Sequence, residues 1–129
     1  MTDLLTEGVD LFNSGRYWDA HEVWERDWTP DRKGPDSGFY KGLIQVAAGC
    51  LHYTRHNRRG AVNKWRSGTD YLRPYLPAHR GLRLAPLVAA VDGFLAAMKE
   101  GDWPYLQMPR ITQEYGGNRL PAADSIKPP

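Results

Sequence analysis

The segment between residues 38 and 56 constrains the fold more than any other part of the sequence. It has the length of a long helix, and its apolar side chains cover most of the circumference that such a helix would have. A helix that is apolar nearly all the way round has to be enclosed by other elements. The segment therefore predicts a central helix. Its one narrow polar stripe consists of Lys41, Gln45, His52 and His56.

The rest of the sequence supplies helices that could enclose this one. Four further segments have apolar residues at helical spacing, at about residues 4–15, 17–28, 61–76 and 84–100. No alternating strand pattern competes with them. We therefore expect an all-α fold, a small antiparallel helical bundle of about five helices. Residues 1–102 would form a single helical domain, and the Pro-rich residues 103–129 an extended C-terminal tail.

The overall composition excludes several classes of protein. Of the 129 residues, 41% are hydrophobic and 25% charged, which is ordinary for a globular domain. The single cysteine, Cys50, excludes an intramolecular disulfide framework. No apolar run approaches the roughly 18 residues of a membrane span, and the first residues lack the pattern of a signal peptide. We expect a cytoplasmic protein with no membrane partner.

Charge is distributed unevenly along the chain, although its formal sum is only +2. Residues 1–36 carry nine acidic and four basic residues, whereas residues 51–83 carry eight basic residues and one acidic residue. One interpretation is that the two segments pack together and their charges complement each other. The other is a basic face for RNA or another anion, formed by residues 55–83, where arginine and aromatic residues interleave. RNA is the less favoured partner, because no RNA-binding signature accompanies the arginines.

The second predicted helix places polar residues on or beside its apolar face. At about 100° per residue, His21 falls within the apolar stripe, Glu25 lies on its edge, and Glu22 lies further round. A buried imidazole and carboxylate need polar partners, and Gln45 and His52 on the central helix could supply them. We therefore expect an internal polar cluster. Its candidates for a catalytic role are His21, Glu22, Glu25, Gln45 and His52.

A metal centre is the first hypothesis for this cluster. Imidazoles four residues apart, together with a carboxylate, suit a divalent metal. The metalloprotease pattern H-E-x-x-H is absent, because Glu25 stands where its second histidine belongs. We therefore expect no metal and no other cofactor. A divalent metal stays as the weaker alternative, with His21, Glu25, His52 and His56 as its ligands.

An enzyme and a binding module are the other hypotheses. In the enzyme, His21, Glu25 and His52 would act as general acid or base, but no nucleophile elbow, phosphate-binding loop or redox motif indicates a reaction. In the binding module, which we favour, the cluster braces packed helices or lines a groove for a protein or a small molecule. Its candidate ligand-binding residues are Trp18, Trp24, Trp28 and Arg55.

Three motifs, in their order and spacing, resemble a known family. They are Leu11-Phe12-Asn13-x-Gly15-x-Tyr17-Trp18-x-Ala20-His21-Glu22-Val23-Trp24-Glu25-x-x-Trp28, Gly42-Leu43-Ile44-Gln45-x-Ala47-Ala48-x-x-x-His52 and Asn57-x-x-Gly60-Ala61. Together they resemble the DUF309 family, a domain of unknown function, over about residues 4–76. The resemblance implies a compact all-α fold and no established activity, substrate or cofactor. The polar motif residues that it implies are His21, Glu22, Glu25, Gln45 and His52.

Overall fold

Five α-helices and a small sheet make up the protein in a computed structural model that describes residues 3–99 and 101–114. The helices are α1 (Leu4–Asn13), α2 (Tyr17–Trp28), α3 (Ser37–Thr54), α4 (Arg58–Leu72) and α5 (Leu84–Ala97). One-turn 3₁₀ helices follow α2 at Thr29–Asp31 and α4 at Arg73–Tyr75. The predicted all-α class with about five helices is confirmed. Among the described helices, none combines the length and the apolar character needed to cross a lipid bilayer.

Local sequence explains where several helices begin. Asp3 caps α1, because its carboxylate accepts the Thr6 N–H at 2.7 Å. Asn57 caps α4 in the same way and accepts the Gly60 N–H at 2.9 Å. Gly15 has a φ of +81°, which glycine adopts without strain, and this turn separates α1 from α2.

The helix α3 is the central element, as predicted. It packs against both α2 and α4, while α1 packs on α2 and α5 on α4. Two glycines allow the backbones of α3 and α4 to approach closely. A Cβ atom on Gly42 would lie 3.0 Å from the carbonyl oxygen of Gly68, and one on Gly68 would lie 3.1 Å from that of Gly42. This close crossing sets the distance between side chains of α3 and α4.

A small antiparallel sheet, which we did not predict, lies beside the helices. Its strands are β1 (Ala78–His79), β2 (Leu82–Arg83) and β3 (Thr112–Gln113), in the order β1-β2-β3. Arg80 and Gly81, both at positive φ, form the two-residue turn between β1 and β2. Strands of two residues are too short to show the alternation of apolar and polar residues that marks a strand in a sequence.

Residues 103–114 are the described part of the expected tail, and they contain no helix. The Tyr53 hydroxyl on α3 donates to the carbonyl oxygen of Pro104 at 2.9 Å and accepts the Leu106 N–H at 2.7 Å. The start of the segment is therefore tied to the central helix. Residues 115–129 of the expected tail lie outside the described residues, and the division of the chain after residue 102 stays a prediction.

A second anchor joins the same segment to α1. The side-chain amide of Asn13 donates to the carbonyl oxygen of Ile111 at 2.9 Å, and its carbonyl accepts the Ile111 N–H at 2.8 Å. Ile111 is buried, with 3% of its surface exposed. The Gln113 amide also donates to the Thr6 hydroxyl at 2.9 Å. Hydrogen bonds and apolar burial thus both hold the segment against the helices.

Candidate functional site

A cavity of about 290 Å³ opens where α2, α3 and α4 meet. Five residues that the sequence singled out line it, and five others complete the lining. The predicted residues are Trp18, His21, Gln45, His52 and Arg55, and the others are Tyr17, Ile44, Ala48, Leu51 and Lys64. The cavity therefore brings one predicted residue pair from α2 together with another from α3.

Trp18 and His21 are neighbours on the α2 side of the cavity. They are three residues apart on the helix, so their side chains share a face. Their rings stack, with centroids 5.0 Å apart and planes inclined by 11°. Trp18 is 54% exposed, whereas Trp24 and Trp65 are fully buried. An exposed indole at the edge of a cavity offers apolar surface to a ligand.

The two ring nitrogens of His21 are in different surroundings. Nδ1 is buried and has no hydrogen-bond partner within the described residues. A buried N–H without an acceptor is less well tolerated than a buried lone pair without a donor. In a neutral imidazole, these surroundings favour the proton on Nε2 over the proton on Nδ1.

The α3 side of the cavity is built from one helical stripe. Gln45, Ala48 and His52 are separated by three and then four residues, so they follow one another along the same side of α3. The small side chain of Ala48 leaves room between the two polar ones. A polar stripe on a helix that is otherwise apolar thus becomes the lining of a cavity.

The first turn of α4 holds His52. The side-chain nitrogen Nδ2 of Asn57 lies 3.1 Å from His52 Nδ1, while Asn57 Oδ1 accepts the Gly60 N–H. A Cβ atom on Gly60 would lie only 2.5 Å from His52 Nδ1, so the ring packs directly against the backbone there. These contacts give the sequence motif at residues 57–61 a physical role, which is to support the histidine that ends the motif at residues 42–52.

All charged side chains that line the cavity are basic. Arg55 follows the end of α3 and Lys64 lies on α4, and no aspartate or glutamate is among the lining residues. Neither cation forms an ion pair with a carboxylate of the described residues. Two cations at a cavity with apolar walls produce a positive local potential. The cavity is therefore suited to an anion.

Burial changes the acid–base behaviour of two groups in this region. Tyr17 lines the cavity but is only 6% exposed, and burial raises its pKa to about 12. Its hydroxyl therefore stays protonated and neutral near neutral pH. Burial also raises the pKa of the Cys50 thiol to about 12, so this cysteine is not a thiolate nucleophile at neutral pH.

Glu22 and Glu25, two of the five catalytic candidates, lie on another surface of α2. They line a depression of about 260 Å³ together with Arg26, Thr29 and Arg32. No hydrogen bond joins Glu25 to His21, although they are four residues apart. A carboxylate near the surface keeps its hydration, which it would lose inside the cavity. The cavity thus lacks the carboxylate that the acid–base hypothesis places beside His21.

Two of the three tryptophans among the ligand-binding candidates lie away from the cavity. Trp24 is fully buried, and its Nε1 donates to the carbonyl oxygen of Leu5 at 3.1 Å, so it is a core residue. Trp28 is partly buried, and the guanidinium of Arg32 lies 4.6 Å from its ring centroid. The ammonium of Lys41 lies 5.9 Å from the same centroid.

The four candidate metal ligands do not come together. His21 and His52 line the cavity, Glu25 lies on the other surface, and His56 stacks on Trp103 with ring centroids 4.5 Å apart. Within residues 3–99 and 101–114, no group of three or more histidine, cysteine, aspartate and glutamate side chains is arranged to hold a metal ion.

One arginine of the basic segment 55–83 forms hydrogen bonds within the protein. Arg58 donates at 2.6 Å to the carbonyl oxygen of Met98, the residue that caps the end of α5, and at 3.0 Å to that of Gly101, beyond the helix. Its guanidinium also lies 5.7 Å from the ring centroid of Trp103. A cation at a helix C-terminus compensates the partial negative charge of the last carbonyls. Arg58 therefore fastens α4 to α5 and is not free for RNA.

The expected pairing between the acidic and basic segments is limited to one place in the described structure. Arg80 and His79 lie beside Asp36, at 3.8 Å and 2.7 Å. Arg73 pairs instead with Asp92 on α5 at 2.7 Å. The acidic helix α2 and the basic helix α4 both pack on α3, so most of their charges stay in solvent.

Sequence reasoning missed several residues of the site, and four of them bear on its chemistry or its support. Lys64 and Tyr17 line the cavity, and Asn57 and Gly60 support His52. Lys64 lies on a helix whose position relative to α3 no single-helix pattern reveals. The signal for Asn57 and Gly60 was present, because both belong to the third motif, and asparagine is a preferred residue at the start of a helix.

Comparison with protein families finds one match, over residues 5–63, to the family described as "Domain of unknown function (DUF309)". Residues 5–63 are therefore similar to the DUF309 family. The predicted resemblance is confirmed, over a shorter stretch than the expected residues 4–76. Nine of the ten residues that line the cavity lie within the DUF309 segment, and Lys64 follows it directly. No curated protein matches the chain.

Proposed function

We propose that this protein is a binding module that takes a small anionic molecule into the cavity between α2, α3 and α4. One observation carries the proposal. The cavity has two cations, two imidazoles and an amide among its lining residues, and it has no carboxylate. Such a lining stabilises carboxylate or phosphate groups by charge-assisted hydrogen bonds and disfavours cations.

The size and the apolar surface of the cavity limit the ligand further. A volume of about 290 Å³ is at the lower end for small-molecule sites. Trp18, Ile44 and Leu51 supply apolar area next to the polar groups. A compact organic acid with one apolar or planar part matches this combination of polar and apolar lining better than a large or purely polar molecule does.

Titration with simple probes tests the proposal. Benzoate and phenyl phosphate are the anionic probes, and benzylamine is their cationic counterpart. Both anions are expected to shift the backbone NMR signals of residues 17–21 and 44–55, and benzylamine is not. The proposal is wrong if neither anion shifts these signals, or if benzylamine binds equally well.

Charge reversal on α4 supplies the matched comparison. Lys64→Glu places a carboxylate beside the cavity, and we expect it to weaken anion binding about tenfold or more, a loss of at least roughly 1.4 kcal/mol. Arg66→Glu makes the same change of charge two residues further along the helix, at an exposed position that does not line the cavity. Equal losses in the two variants would show a non-specific effect of net charge and would contradict the proposal.

A further inference from the structure

The position of the Asn57 amide defines the protonation pattern of His52. As the cap of α4, Asn57 uses its Oδ1 atom to accept the Gly60 N–H at 2.9 Å. Exchange of the amide oxygen and nitrogen would place two donors against each other at that point. The amide is therefore fixed with its nitrogen toward the imidazole, and Nδ2 is the atom 3.1 Å from His52 Nδ1.

Since the amide nitrogen can only donate, His52 Nδ1 has to be the acceptor. A neutral imidazole that accepts at Nδ1 carries its proton on Nε2. The missing side chain at Gly60 lets the ring lie close enough for this bond, because a Cβ atom would be 2.5 Å from Nδ1. The cap of α4 thus selects one of the two neutral forms of His52.

We propose that His52 donates its Nε2–H to an oxygen of the bound anion, and that Asn57 is the positioning residue that selects this donor form. The inference rests on the proposed function, because it needs an anion in the cavity. It names the donor for the carboxylate or phosphate of the proposed ligand, because each of these groups has a free acceptor oxygen. The titratable and amide side chains that share the cavity with His52 are Tyr17 and His21 on α2, Gln45 on α3, Arg55 beyond α3 and Lys64 on α4.

The variant Asn57→Asp separates the cap from the selection of the tautomer. Aspartate caps helices as well as asparagine does, so α4 should keep its first turn. A carboxylate can only accept, however, so in the neutral imidazole the proton of His52 has to move to Nδ1, which becomes the donor, and Nε2 becomes the acceptor. In the variant, the Nε2 atom of His52 is therefore expected to become an acceptor instead of a donor, while the fold is kept.

Two measurements follow on the wild type and on this variant. Histidine ¹⁵N NMR at about pH 9, where free imidazole is neutral, should show the Nε2–H form of His52 in the wild type and the Nδ1–H form in Asn57→Asp. Titration with benzoate at the same pH, with the imidazole neutral, should show a loss of affinity of about tenfold or more in the variant. Asn63→Asp adds the same charge at an exposed position of α4 outside the cavity, and its affinity should stay within about twofold of the wild type.

Each contrary result is distinct. If His52 of the wild type is in the Nδ1–H form, Asn57 does not select the tautomer, and the proposed binding of an anion in the cavity is unaffected. A reversed tautomer with the same benzoate affinity in Asn57→Asp and Asn63→Asp overturns the contact between His52 and the ligand. If neither benzoate nor phenyl phosphate binds the wild type, the proposed function fails, and the contact with the anion fails with it.

Discussion

Replacement of Arg58 by alanine should lower the free energy of unfolding by about 2 to 3 kcal/mol. The guanidinium donates two hydrogen bonds of 3.0 Å or less, one to the carbonyl oxygen of Met98 at the end of α5 and one to that of Gly101 beyond it. One bond is part-buried and the other is exposed, so we take about 1 kcal/mol for each, below the usual range for a charged donor. The contact with Trp103 adds about 0.5 kcal/mol.

Urea unfolding followed by circular dichroism measures this loss directly. For a domain of this size the melting temperature should fall by about 10 °C. Arg59→Ala is the matched control, because Arg59 is adjacent and exposed, and it makes no hydrogen bond within the described residues. Its expected change is below about 0.5 kcal/mol. Arg58→Lys keeps the charge without the two-pronged donor and should recover only part of the loss.

The reasoning is refuted if the unfolding free energy of Arg58→Ala lies within about 0.5 kcal/mol of the wild type, or if Arg59→Ala loses as much stability as Arg58→Ala.

The contacts of Arg58 also decide which arginines should be changed in a test of RNA binding. A double charge reversal at Arg58 and Arg59 would disturb the junction of α4 and α5 whatever the ligand. Arg59 and Arg66, both exposed on α4, are the appropriate pair.

Three further predictions concern glycine packing and buried acids. Gly60→Ala should destabilise the protein by more than about 1 kcal/mol, because the new Cβ atom meets His52. Gly93→Ala, in open space on α5, should stabilise it by about 0.5 to 1 kcal/mol. A change of the same sign in the free energy of unfolding by urea for both variants would contradict this. Cys50 should not react with a thiol reagent at mildly alkaline pH until the protein is unfolded, and rapid labelling of folded protein would be the contrary result. Tyr17 has a pKa of about 12 in the folded protein against an ordinary 10.0, so the folded state holds this proton more tightly. The stability that comes from this tighter protonation is fully present below pH 10.0 and is lost as the pH rises toward 12. Tyr17→Phe should therefore lose less stability than the wild type over this range. Parallel plots of unfolding free energy against pH for the two proteins would refute the assignment.

The helices were predictable because each carries its own periodic signal. For α2 the predicted and observed bounds agree at Tyr17–Trp28, and the apolar circumference of α3 correctly indicated a central helix. The small sheet was missed, because two-residue strands carry no period. Pairing of β2 with β3 also joins segments about 30 residues apart, which no local pattern reveals.

The candidate site was predictable only along single helices. Gln45 and His52 were found because seven residues on a helix return to the same side. Glu25 was placed too close to His21, since angular position does not tell whether a side chain at the edge of a face turns inward or stays hydrated. Lys64 could not be found, because its place in the cavity lining depends on how α4 packs against α3, which no pattern along a single helix reveals.

The anchoring of residues 103–114 determines how the protein can be shortened for experiments. A truncation after residue 102 would remove the partners of the Tyr53 hydroxyl and the Asn13 amide, and it would uncover the surface beneath Ile111. The matched family segment ends at residue 63, well before these anchors. Fragments designed from the family boundaries alone would therefore expose apolar surface and invite aggregation, and versions for crystallisation should extend at least to residue 114.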